Sequence, residues 1–187
     1  MKFPRSRAGL RPVGPACSHR LRRSECLACR TLVSIARQRK GFNPEGCKVV
    51  FAHLDTTLSI QAALHRALTE YSLSELQFAV LVALFALDPE PVMPADLADY
   101  AAVSRAAVTD ALVRLETLGF ITRTRDTADR RAHHLHLTDR GRTTVDAALV
   151  RYLTAVGEIA RYLEPATQGD LIAGYQLLQR GAAAPTE

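Results

Sequence analysis

A mostly α-helical fold with one small β-wing is predicted by three features of this chain. Long stretches carry apolar residues at spacings of three and four, the period of a helix with one buried face. Only residues 120–137 change to β-branched and alternating strand patterns, around a polar, turn-forming middle. At 187 residues and 48% hydrophobic the chain can bury one full core, and no window approaches the ~20 apolar residues of a membrane span. With no tryptophan, that core should rest on Leu, Val and Ala.

Residues 1–52 show no sustained period; Pro4, Pro12, Pro15, glycines and arginines are scattered through them, and a disordered basic N-terminal extension is expected. The stretch lacks the apolar run and Ala-x-Ala site of a secretory signal. It holds twelve Lys or Arg against two acidic residues, Glu25 and Glu45, a net +10. Three readings stay open. The tail can add nonspecific phosphate contacts. Translation can begin later, near Val49 or Leu54, by an alternative codon, since the next methionine is Met93. Or Cys17, His19, Cys26, Cys29 and Cys47 build a metal or redox site. Cys26-Leu27-Ala28-Cys29 has the spacing of half a zinc site. Only one such pair is present, so no metal or other cofactor is expected.

From His53 the chain becomes regular. Leu54, Leu58, Ile60, Leu64, Ala67 and Leu68 give a helix to about Tyr71. Ser74 with Gln77 forms a capping box for a second helix over 75–87, apolar nearly all round and hence the buried spine. Asp88-Pro89-Glu90-Pro91 ends it. Pro94 opens a short helix to Ala101, in which small Ala98 permits a close crossing. A turn at Ala102-Val103 leads to Ser104, an N-cap. The next helix buries Val108, Ala111, Leu112, Leu115 and Leu118 and closes at Gly119, where a left-handed residue is needed; Val103 and Val108 should fill the angle between the two helices.

Residues 120–125 and 133–137 read as two strands around a charged loop. Helix, turn, helix and hairpin together describe a winged helix-turn-helix. Thr138 then caps a helix whose stripe (Val145, Ala148, Leu149, Tyr152, Leu153, Val156, Leu163) runs roughly 35 Å at 1.5 Å per residue until Pro165 stops it. A last helix follows over about 167–179. The long stripe exceeds what a small domain covers, so it should meet a second copy. The domains are therefore residues 73–138 as the DNA-binding winged helix, 53–72 with 139–180 as a helical dimerisation region, and 181–187 as a flexible tail.

Residues 73–84 (LSELQFAVLVAL), 104–120 (SRAAVTDALVRLETLGF) and 122–142 (TRTRDTADRRAHHLHLTDRGR), in this order and spacing, make residues 54–180 resemble the multiple-antibiotic-resistance (MarR) regulators. These are bacterial, dimeric winged-helix repressors whose DNA affinity responds to small ligands or oxidants. The resemblance implies a cytoplasmic, nucleoid-associated homodimer on a pseudo-palindromic operator. It implies a minor-groove role for Arg131 of the Asp129-Arg130-Arg131 motif, with Asp129 shaping the wing. It also implies a phenolic or other aromatic effector near His65, Tyr71, Phe78 and Phe85, and, in oxidant-sensing members, a cysteine near the first helix, for which Cys47 is the nearest candidate.

Two-fold symmetry would send paired recognition helices into successive major grooves ~34 Å apart. Arg105 and Thr109 are then the base-edge candidates, Ala106 allows close approach or meets a thymine methyl, and Ser104 touches phosphate as well as capping. Arg123, Arg125 and Arg130 should gather beside them, with Arg140 and Arg142. Asp110 departs from the family, standing where many relatives carry a cation; Arg114, one turn on, can pair with it. Residues 53–187 hold twelve arginines and seventeen acidic residues, a net −5, so affinity must come from placement of arginine. Of His133, His134 and His136 only two share a strand face, too few for a metal site; packing or phosphate contact is preferred. No nucleophile elbow, Walker loop or dinucleotide fingerprint appears, so no enzyme is expected. A dimeric winged-helix adaptor without strong DNA binding is the alternative.

Overall fold

The computed structural model describes residues 26–90, 92–101, 103–125 and 133–184. They fall into two compact units, one up to Asp55 and one from Thr56 onward. The elements are α1 (Leu27–Gln38), α2 (Pro44–Thr69), α3 (Glu75–Leu87), α4 (Pro94–Tyr100), α5 (Arg105–Thr117), β1 (Ile121–Arg125), β2 (His133–Leu137), α6 (Asp139–Ala160) and α7 (Pro165–Ala183). No described helix is long and apolar enough to cross a membrane.

The first unit corrects the expected irregular extension, because residues 27–38 and 44–52 are helical. No Pro or Gly falls between Ala16 and Lys40; averaging over 52 residues hid a helix-permissive stretch. Cys26 caps α1, its sulfur accepting from the Cys29 N–H at 3.4 Å. Asn43 Oδ1 accepts from the Gly46 N–H at 2.9 Å, and Pro44 follows at the first helical position, so α2 starts at residue 44 and not 53.

In the second unit α3 is the spine. Its capping box forms as expected: Ser74 Oγ accepts from Gln77 N–H and Gln77 Oε1 accepts from Ser74 N–H, at 3.2 and 2.9 Å. Phe78, Val80, Leu81 and Leu84 are buried, and α3 touches α4, α5, α6 and β2. Around it Leu68, Leu97, Ala98, Val108, Leu112, Leu115, Leu135 and Val145 close one core. Each fully buried Leu or Val is worth roughly 1.5–3 kcal/mol over exposure.

The sheet is a hairpin, β1 antiparallel to β2 with Ile121 opposite Leu137 and Arg125 opposite His133. Val92 bridges Leu135, whose N–H donates to the Val92 carbonyl at 2.9 Å, so the segment before α4 supports the hairpin base. The hairpin is also fastened at Gly119-Phe120. Thr138 Oγ1 donates to the Gly119 carbonyl at 2.7 Å and accepts from the Gly141 N–H at 2.9 Å, while Thr138 N–H donates to the Phe120 carbonyl at 3.0 Å. Gly119 has φ +71°, which glycine adopts without strain. Gly141 is required for another reason: a Cβ there would overlap the Phe120 carbonyl.

Three further expectations change. Val103 does not fill the interhelical angle but is 37% exposed, leaving that role to Val108 and Ala98. α6 ends at Ala160, and Pro165 opens α7 instead of stopping α6, because proline is tolerated in a first turn. Only the first turns of α6 reach the core, through Val145 and Ala148, and α7 buries no residue.

Candidate nucleic-acid interface

α5 is a helix with two faces. Val108, Ala111, Leu112 and Leu115 are buried. Ser104, Arg105, Ala106, Thr109 and Asp110 are all exposed on the other side, at the N-terminal end. Ser104 Oγ accepts from the Ala107 N–H at 3.3 Å, which satisfies one orphan donor of the first turn. Thr109 Oγ1 donates to the Arg105 carbonyl at 2.9 Å and keeps lone pairs for an outside donor. At 100° per residue, Val113 lies on the same exposed strip between Ala106 and Thr109, and it is 54% exposed. It is a further contact candidate, marked in the sequence as an apolar residue on the polar side of the helix.

The arginines expected around this helix divide into two kinds. Arg123 is held by Glu116 at 2.8 Å, tying β1 to the last turn of α5. Arg142 is held by Asp88 at 2.6 Å, across the end of α3. Arg140 lies 5.2 Å from the centre of the Phe120 ring, a cation–π contact at the hairpin base. Arg123 and Arg140 fasten the hairpin, and Arg142 ties α6 to the end of α3. Arg105 and Arg125 are exposed. The expected Asp110–Arg114 pair is not among the ion pairs of the described residues. Glu116 was missed because nothing local announces a partner on the following strand. Asp129, Arg130 and Arg131 lie outside the described residues, as do Cys17 and His19.

The four aromatic-pocket candidates differ in burial. Phe78 is buried in the core with its ring centre 4.9 Å from that of Tyr152, Tyr71 and Phe85 pack half-buried against the core, and His65 is exposed. Burial, with the Glu70 carboxylate beside it, pushes the Tyr71 hydroxyl up; burial and then Glu75 do the same to Tyr152. His136 meets Thr124 across the hairpin at 3.0 Å. In the first unit the Cys26 thiol is held below its ordinary value by hydrogen bonds from the Cys29 backbone and side chain. A small cavity of about 290 Å³ lies beside it, lined by Cys26, Ala28, Cys29, Phe51 and Leu54. Among the described residues no three His, Cys, Asp or Glu side chains are grouped to hold a metal ion.

Residues 73–133, from the turn before α3 to the start of β2, match the model of the MarR family. The winged-helix part of the chain therefore carries a MarR-family domain. No curated protein sequence matches the chain. Among solved structures the chain is similar to the transcriptional repressor CouR bound to a 23-mer DNA duplex, with 25% identity and TM-score 0.60, over 69% of this chain and 90% of that one. It is similar in fold to MepR of S. aureus in complex with DNA, at 17% identity and TM-score 0.63, over 71% and 96% of the two chains. It is also similar in fold to YusO of Bacillus subtilis, at 24% identity and TM-score 0.52, over 73% and 94%.

Proposed function

We propose that this chain is a transcriptional regulator that binds a pseudo-palindromic site on double-stranded DNA as a homodimer, with α5 in the major groove and the wing in the adjacent minor groove. One observation carries the proposal. The face of α5 that offers Arg105, Ala106 and Thr109 is open, while the opposite face is sealed in the core, so the helix is rigidly held and its short side chains are free to meet base edges. The similarity to CouR and MepR, both described with DNA, supports the same reading. A second copy would cover the apolar side chains that α6 and α7 leave open, among them Leu153 and Leu177. A phenolic or other aromatic effector would act at Tyr71 and Phe85, the half-buried rings among the four candidates.

A gel shift of the full chain on its own upstream DNA tests the proposal. Wild type should give a salt-sensitive, competitor-resistant shift. Arg105→Ala should weaken specific binding by about 1–3 kcal/mol, roughly 5- to 150-fold, and relax one base preference. Arg131→Ala should weaken binding most where the flanking minor groove is A·T-rich. Absence of any competitor-resistant shift would favour the adaptor alternative.

A further inference from the structure

The DNA-binding part of this chain is short of free cations. Residues 53–187 carry a net −5, and Arg123 and Arg142 are spent on Glu116 and Asp88. The surplus lies in the first unit. There a groove of about 600 Å³ runs between the apolar side chains of Leu27 and Val33 and the polar ones of Arg30, Thr31, Ser34 and Arg37, all of α1, with Lys48 of α2. Arg30 and Arg37 are seven residues apart, two turns of α1, so they share one face about 10.5 Å apart along the axis. Lys48 reaches Glu45 at 2.8 Å, and Glu45 is held below the usual carboxylate range by Lys48 and, more weakly, by Arg37. Glu45 lies among these cations, and a polyanion entering the groove would compete with it for Lys48. Thr31 gives its hydroxyl hydrogen to the Leu27 carbonyl, leaving the two guanidinium groups and Ser34 as the donors for an incoming phosphate.

We infer that this groove is a second DNA-contacting surface of the regulator, one that grips the phosphate backbone of duplex DNA and reads no sequence. The inference rests on the proposed DNA binding of α5 and adds to it the electrostatic part of the affinity. A two-turn spacing of arginines is long enough to reach separate phosphates of one strand, whose axial repeat is about 3.4 Å per nucleotide. Contacts of this kind release counterions and set the salt dependence of binding, whereas base contacts set specificity.

The experiment uses the full chain, an operator duplex and a scrambled duplex of equal length, titrated between 50 and 200 mM KCl. The double variant R30Q/R37Q removes two phosphate contacts per protomer, four in the proposed dimer. The slope of log affinity against log salt should fall by about 3.6, at ~0.9 per contact, so wild type loses about 150-fold more affinity than the variant across that fourfold range of salt. The loss should be equal on both duplexes. The variant R30K/R37K, which keeps point charges at both places, should restore the slope. An unchanged slope in R30Q/R37Q, with helicity by circular dichroism also unchanged, overturns the inference. So does a loss confined to the operator, or unchanged duplex binding with reduced binding to phosphatidylglycerol vesicles. If wild type binds neither duplex, the proposed function falls with it. If Arg105→Ala loses operator preference while R30Q/R37Q behaves as wild type, only the groove is refuted.

Discussion

Leu112 of α5 and Leu153 of α6 are the same residue on helices of the same apolar period, yet one is 1% and the other 62% exposed. The difference separates two regions. Around α3 every element meets a partner of the same chain, and residues such as Leu112, Leu115 and Leu97 are sealed. Further along α6 and α7, beyond Leu149 and Tyr152, large apolar side chains such as Leu153, Val156, Ile172 and Leu177 stand exposed. Periodicity states that a face wants burial. It does not state whether the cover comes from the same chain or from a second copy.

The sharpest way to break this contrast is Gly141→Ala. A single methyl there meets the Phe120 carbonyl, which β1 and the Thr138 hydrogen bonds hold in place. The expected loss is about 3 kcal/mol, read as a lowered urea midpoint with the slope unchanged. A gain or no change would mean that the hairpin base is looser than its hydrogen bonds imply.

On the other side of the contrast, Leu153→Asp with Leu177→Asp should leave the winged helix folded. If the proposed homodimer forms through these side chains, the pair should convert it to a single copy in sedimentation and weaken binding to the proposed operator more than tenfold, since half-sites would no longer be joined. Retention of a dimer would move the partner surface elsewhere.

A smaller effect distinguishes the two kinds of arginine. If Arg123 serves to fasten β1 to α5, Glu116→Gln should reproduce the effect of Arg123→Gln on stability, up to about 1 kcal/mol for a pair this exposed. The double variant should then cost no more than either single one. If Arg123 were a phosphate ligand, Glu116→Gln would instead tighten DNA binding.

Smallest is the pH behaviour of Cys26. Its thiol is lowered in the folded chain, so the thiolate cap stabilises α1 fully above the ordinary thiol pKa, and this contribution is lost as pH falls through the lowered value. Iodoacetamide should accordingly label Cys26 at lower pH than it labels the same residue in urea. Equal pH profiles in both states would show that the cap does not hold the thiolate.

Local chemistry made the winged helix legible. Ser74 with Gln77, Ser104, Gly119 and Thr138 each announce a helix boundary through one backbone hydrogen bond or one left-handed residue, and each stands where it was expected. The exposed strip of α5 was equally readable, because a helix that buries Val108, Leu112 and Leu115 must turn Arg105 and Thr109 outward. What the sequence could not decide was how its charges are spent. Glu116 lies seven residues before Arg123, and Asp88 fifty-four before Arg142, and nothing in the chain marks either as a pair. Helix signals are local, set by neighbours within four or five residues. The fate of an arginine depends on which carboxylate the finished fold brings within about 3 Å of it, and only the tertiary structure settles that.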